Sequence, residues 1–153
     1  MENDIGCSDF YLVKDHVKNL AYFANILNGF RDVVNANNEE RGWNDNYHAL
    51  MSIKDRPELL PVIEMYITST ELALIHSEIS EALEGVRKGL MDDHLPHRPM
   101  IEVELADAII RIMHLAGRKN LDIGGAVVEK YAYNKDRADH KKENRNKADG
   151  KKF

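Results

Sequence analysis

The sequence predicts an all-α protein, a bundle of about four long helices. Three features carry that expectation. Apolar residues recur at spacings of three and four over several long stretches. Only 4 prolines and 9 glycines punctuate the 153 residues, too few for a sandwich or barrel of many turns. Aromatic residues, which strands favour, make up only 7% of the chain. The length suits a single domain, 1–153, with one core, and 43% hydrophobic residues are enough to fold it.

The elements follow in order. Asp9 to about Val34 reads as a long amphipathic helix, with Val13, Val17, Leu20, Ala24 and Leu27 on one stripe. Asn35 to Asn46 reads as a polar loop that holds Trp43, the only tryptophan. Tyr47 to Asp55 suggests a short helical piece, and Pro57 and Pro61 set a boundary after it. A second long helix runs from about Leu60 to Gly89, with Leu72, Ile75, Ile79, Ala82 and Val86 as its stripe. Asp92 to Pro99 is a loop. Pro99 or Met100 opens a third helix that reaches about Arg118. Asp122 caps a fourth, expected to reach about Lys142, and Gly124 and Gly125 weaken its first turn. A loose basic tail is expected from about residue 143.

Composition excludes several classes. Cys7 is the only cysteine, so no internal disulfide or multi-thiolate zinc site forms. No stretch reaches the roughly 20 apolar residues of a membrane span, and the N-terminus has no signal-type apolar run. A cytoplasmic setting is expected. The net charge of −5 is uneven: residues 130–153 carry nine Lys/Arg against four Asp/Glu, a net +5, which leaves −10 for the rest. An acidic body of this kind repels nucleic acid. The basic tail is either a solvated end or a phosphate-binding helix face.

Two acidic pairs stand out, Glu78-x-x-Glu81 on the second long helix and Glu104-x-x-Asp107 on the third. Residues three apart share a helix face, so each pair can aim two carboxylates at one point. Magnesium takes about six hard oxygen ligands and keeps some waters, which suits such a nest. On the third helix, apolar residues spread around most of the wheel, while Glu104, Asp107, Arg111 and His114 crowd one sector. A helix apolar nearly all round is expected to be buried, and its charged stripe must then pair internally or bind a metal. Lys130, Asn134, Arg137 and Lys141 have the spacing of one face on the fourth helix and offer phosphate and sugar partners, or a solvated basic face. Trp43, with His48 and Phe30, is a candidate base pocket, or a tryptophan that closes the core. His94 and His97 sit in a proline-bearing loop, where a surface role outweighs a metal site. No phosphate-binding P-loop is present, since Gly124-Gly125-Ala126 lacks a following Gly-Lys-Ser/Thr.

The acid pairs, with 22 residues between them, resemble the MazG-like signature of the all-α nucleoside triphosphate pyrophosphohydrolases. The stretches Leu72–Gly89, Glu104–Ile112 and Glu129–Arg137 are similar to that family, its phage-encoded members included, and the N-terminal helix only loosely so. The resemblance implies that Glu78, Glu81, Glu104 and Asp107 hold magnesium, for which manganese can substitute. It implies that Lys130 and Asn134, with Arg137 nearby, approach the triphosphate or sugar. It implies a homodimer or homotetramer acting on a nucleoside triphosphate, a deoxynucleotide above all. Many members carry a further glutamate where this chain has Ser77, so one contact of the family is missing or replaced by water. Glu84 lies further round the helix. The expected reaction gives a nucleoside monophosphate and pyrophosphate, with Glu78 or Glu81 orienting or deprotonating the attacking water. Three alternatives stand beside it. A di-iron carboxylate bundle is disfavoured, because neither pair is Glu-x-x-His. The others are a non-catalytic helical interaction module and a phosphoribosyl-ATP pyrophosphohydrolase.

Overall fold

The computed structural model describes residues 20–137 and 141–146. Everything regular in it is helical: α1 (Leu20–Glu40), α2 (Asp45–Met51), a 3-10 turn (Pro57–Leu59), α3 (Leu60–Lys88), α4 (Met100–Arg118), α5 (Ile123–Asp136) and α6 (Lys142–Arg145). The described residues contain no strand, only a single bridge between Met91 and Pro99 at the foot of the α3–α4 loop. None of the helices is long and apolar enough to cross a membrane. The start of α1 expected near Asp9 and the end of the basic tail lie outside the described residues.

Contacts divide the chain into two compact units, one of Phe30–Leu121 and one of Met1–Gly29 with Asp122–Phe153. In the first unit, α3 and α4 form an antiparallel hairpin. The pairing is read from three contacts: Arg118 of α4 meets Glu71 of α3, Arg111 meets Glu78, and Met100 lies against Gly85. The seam is lined by small residues and by acids. Ala82, Gly85 and Ala108 are buried there, as are Glu78 and Glu104. Small side chains let the two helices approach closely, so the longer acids between them are forced together.

Two helix ends differ from the sequence expectation. The first helix continues past Val34 to Glu40, because Asn35 to Asn38 have no residue that stops it until Gly42. Gly42 adopts φ +74°, the left-handed conformation that ends a helix, and Trp43 N–H returns to Asn38 O. The fourth long helix ends at Asp136, short of Lys142, and Arg137 turns extended. Arg137 and Lys141 therefore leave the helical face that their spacing suggests. Asp122 caps α5 as expected, accepting from Gly125 N–H at 2.9 Å. Gly124 is required by contact: a Cβ there would run into the Ala24 carbonyl oxygen on α1.

The apolar residues of α3 and α4 are not buried all round. Ile79, Leu83 and Val86 of α3 are about half exposed, as are Leu105, Ile109 and Ile110 of α4. The expected stripe of α3 is thus split. Ala82 faces the seam, while Leu72, Ile79 and Val86 lie a step round the helix and stay open. A two-helix hairpin has one seam, and an apolar surface wider than that seam must find another cover.

The open end of the hairpin is pinned by a charge network. Arg118 has a side chain only 2% exposed and grips Glu71 with two bonds of 2.8 and 2.6 Å. The same guanidinium meets Glu64 at 3.1 Å, and its Cζ lies 4.4 Å from the Tyr47 ring. Lys119 adds a 2.6 Å bond to Glu64. Ion pairing holds the Arg118 proton more tightly than usual, against the opposing effect of burial. Removing the cation leaves Glu64 and Glu71 uncompensated. Arg118→Leu should therefore cost about 3 kcal/mol in urea unfolding, and Arg118→Lys, which keeps charge but loses the two-pronged bond, should cost less.

Candidate acid site and adjoining cleft

The sequence spacing places Glu78 and Glu81 one turn apart on α3, and Glu104 and Asp107 one turn apart on α4. The antiparallel register brings three of these together. Glu78, Glu104 and Asp107 each present a carboxylate oxygen within 4.8 Å of the others. Glu78 and Glu104 are buried and Asp107 is exposed, so the cluster opens to solvent on one side. Glu81 falls outside that group and is exposed, but its charge acts on Glu104. No other group of three or more acid, histidine or cysteine ligands converges among the described residues.

The electrostatics are those of a crowded acid site. Burial raises the Glu104 pKa to about 7, helped by the charge of Glu81 and by the hydrogen bond and charge of Glu78. Burial also raises Asp107, with Glu78 adding to the shift and Arg111 opposing it. Among the described residues Arg111 is the one cation paired with the cluster, its Nε 2.6 Å from Glu78 Oε1. A single guanidinium does not satisfy the set, since Glu104 still holds its proton near neutrality. Hard carboxylate oxygens crowded at this distance fit a magnesium-type cation, and such an ion would relieve the repulsion that raises Glu104 and Asp107.

Beside the acids lies a cleft of about 460 Å³. Arg111 belongs to both, lining the cleft while bonding Glu78. Trp43, Tyr47, Leu50, Tyr66 and Leu74 form its apolar walls. Trp43 is 71% exposed, so it does not close the core, and its ring stands at the cleft. His48 does not line it. That ring instead pairs with Glu39 at 2.9 Å. Phe30 is exposed and is likewise not part of the wall.

Asn44 holds the cleft floor and was not singled out by its sequence. It sits at the N-cap position of α2 but caps nothing, and it is 1% exposed. Its amide donates to Glu39 Oε1 at 2.7 Å and faces His114 Nε2 at 2.8 Å through its oxygen. The only sequence signal for this role is an asparagine beside a lone tryptophan at a glycine turn.

No known protein family, curated protein or solved structure matches the chain. Function is therefore read from the residues themselves.

The other sequence candidates are placed as follows. Lys130 and Asn134 lie on α5 in the second unit, one turn apart. Lys130 Nζ stands 4.7 Å from the Tyr133 ring centroid. The Asn134 amide oxygen is buried without a hydrogen-bond partner, beside an open groove along α5. Arg137, beyond the helix end, has its Cζ 5.9 Å from the same ring. Glu84 makes local ion pairs with Arg87 and Lys88. Ser77 returns its hydroxyl to Leu74 O. His94 and His97 are exposed in the loop.

The raised acids give a stability signature with a definite sign. A carboxyl whose folded pKa lies above its unfolded value stabilises the fold at low pH, and that contribution is lost as pH rises through about 7. The metal-free wild type should therefore lose stability relative to Glu104→Gln between pH 5.5 and 8. Magnesium should restore the wild type at pH 8 and leave Glu104→Gln nearly unmoved. Melting temperatures of both proteins in chelator and in magnesium check this.

Proposed function

We propose that the chain is a divalent-cation-dependent nucleoside triphosphate pyrophosphohydrolase of the MazG-like kind, cleaving a nucleotide to its monophosphate and pyrophosphate. The observation that supports this best is the convergence of Glu78, Glu104 and Asp107 within 4.8 Å, where burial first and the neighbouring acids second raise the Glu104 pKa to about 7. A salt-bridged structural core would pair its acids with bases. Here, among the described residues, the acids outnumber the one arginine that reaches them.

Glu78, Glu104 and Asp107 would hold the cation, with Glu81 at the edge. Bound magnesium supplies neutralisation of phosphate charge and a bound water of lowered pKa. Glu81, exposed and acting by its charge on Glu104, would take a proton from an attacking water at its carboxylate. Arg111, which lines the cleft while bonding Glu78, would exchange that bond for a phosphate oxygen. Trp43, Tyr47 and Tyr66 offer flat apolar surface for a base.

The exposed faces of α3 and α4 support a further part of the proposal, a homo-oligomer. Leu72, Ile79, Leu83 and Val86 repeat at seven, four and three, and Ile101, Leu105 and Ile109 at four. These are helix-packing spacings with no cover among the described residues. A second copy offers the same faces in return, as a two-fold interface needs. Leu83→Glu with Ile109→Glu should shift the protein toward monomer in analytical ultracentrifugation.

The catalytic test is a panel of ribo- and deoxynucleoside triphosphates with magnesium or manganese, scored for pyrophosphate. Glu81→Gln and Asp107→Asn should each lower turnover at least about a hundredfold. Both carboxylates are exposed, so melting should change little. Full rates in both variants, or no pyrophosphate from any nucleotide, would return the chain to the class of interaction modules.

A further inference from the structure

The cleft beside the acids has a polarity set by one hydrogen-bond chain. Glu39 is an acceptor only: its pKa is lowered, first by the bond from His48 and then by that from Asn44. Asn44 must therefore turn its NH₂ to Glu39, at 2.7 Å. Its carbonyl oxygen is then the group that faces His114 Nε2, at 2.8 Å. An amide oxygen cannot donate, so His114 must carry its proton on Nε2. The amide orientation and the histidine tautomer are both fixed by the carboxylate at the end of the chain.

His114 Nδ1 is left as a bare lone pair. Burial lowers the His114 pKa, with Arg118 and Arg111 adding to that effect and Glu71 and Glu39 opposing it, which favours the neutral ring. Nδ1 makes no hydrogen bond, and it is not sealed off. Among the described residues the only buried side-chain atoms without partners are Asn35 Oδ1 and Asn134 Oδ1. His114 lines the cleft, opposite walls that include the exposed Trp43 ring. The charged groups nearest to it are already committed. Arg118 and Glu71 hold each other at 2.6 Å, and Arg111 holds Glu78 at 2.6 Å.

We infer that this cleft selects an aromatic ring bearing an N–H donor, accepted by His114 Nδ1, with Asn44 and Glu39 as positioning residues that fix the acceptor. The inference rests on the cleft being the base site of the proposed enzyme, and it adds the chemistry by which a base is told from an isosteric ring without a donor. A protonated or Nδ1–H histidine would select the opposite pattern. Losing that hydrogen bond costs about tenfold in affinity.

The test uses the full-length, metal-free protein labelled with ¹⁵N-histidine. Deoxycytidine, thymidine and deoxyadenosine are titrated, each beside its analogue with the N–H hydrogens methylated at N4, N3 or N6. Long-range ¹H–¹⁵N spectra should show His114 protonated at Nε2 and bare at Nδ1, and Asn44→Leu should let the two tautomers mix. At least one parent nucleoside should shift the Nδ1 resonance and bind about tenfold more tightly than its methylated analogue. His114→Phe should abolish most of that ratio, whereas a simple steric clash with the methyl groups would preserve it. An Nδ1-protonated ring, a ratio unchanged in His114→Phe, or no nucleoside binding at all overturns the inference. Pyrophosphate release without this discrimination sinks the cleft assignment alone. Discrimination without pyrophosphate release sinks the enzyme reading and leaves the cleft standing.

Discussion

Everything at this site depends on holding carboxylates against one another across a helix seam. Like charges a few ångströms apart repel, and burial removes the water that would screen them. The hairpin tolerates this because its register is fixed elsewhere. Arg118 binds Glu71 at one point of the seam, and Arg111 binds Glu78 further along. Seven residues separate Glu71 from Glu78 on α3, and seven separate Arg118 from Arg111 on α4. The two pairs therefore enforce the same alignment. A slip of one turn would break both and carry Glu78 away from Glu104 and Asp107. The buried arginine supplies register more than it supplies energy, since the gain from a buried ion pair is largely cancelled by desolvation.

Small residues make the second condition. Ala82, Gly85 and Ala108 let α3 and α4 come close, and Met100 fills the space that a side chain on Gly85 would need. Close backbones leave the acids no room to splay apart. The cost appears as the raised pKa of Glu104 rather than as a distorted helix. A bound cation would remove that cost, so the packing that crowds these acids would also favour a cation among them. Stability and affinity are opposed at these positions, as they are wherever a binding site is preorganised.

The sequence made the local part of this legible. Spacing three within Glu78/Glu81 and Glu104/Asp107 puts each pair on one face, and the charged sector of α4 around Arg111 and His114 does meet polar partners. Asp122 and Gly89 mark helix ends because their chemistry is local. What depended on long-range contact was hidden. Asn44 reads as an ordinary loop or cap residue, and only the fold shows it joining Glu39 to His114, 70 residues away. Arg118 and Glu71 read as the end of one helix and the middle of another. The ends of α1 and α5 were misplaced for a related reason. Polar residues such as Asn35–Asn38 can extend a helix that already has packing, and Arg137 leaves a helix without a glycine or proline to announce it. The open apolar faces are the clearest case. Periodicity at Ile79, Leu83, Leu105 and Ile109 suggests burial, yet these side chains stand exposed, because spacing alone does not say what packs against them.

The arrangement also sets a direction along the cleft. At the Arg118 end, positive and negative groups are matched, and the walls are aromatic and aliphatic. At the Arg111 end, negative charge is in excess. A ligand that is flat and uncharged at one end and anionic at the other can satisfy both only in one orientation, and its anionic end is repelled by the bare acids. Binding at that end therefore requires a cation to change the sign of the field. On the proposed reading the flat end needs no cation, because Trp43 and His114 would act through surface and hydrogen bonding. The two halves of recognition would then be separable, one apolar and one dependent on a cation. Arg111 would join them, since the guanidinium that balances Glu78 would be free to meet phosphate once another cation took over that task.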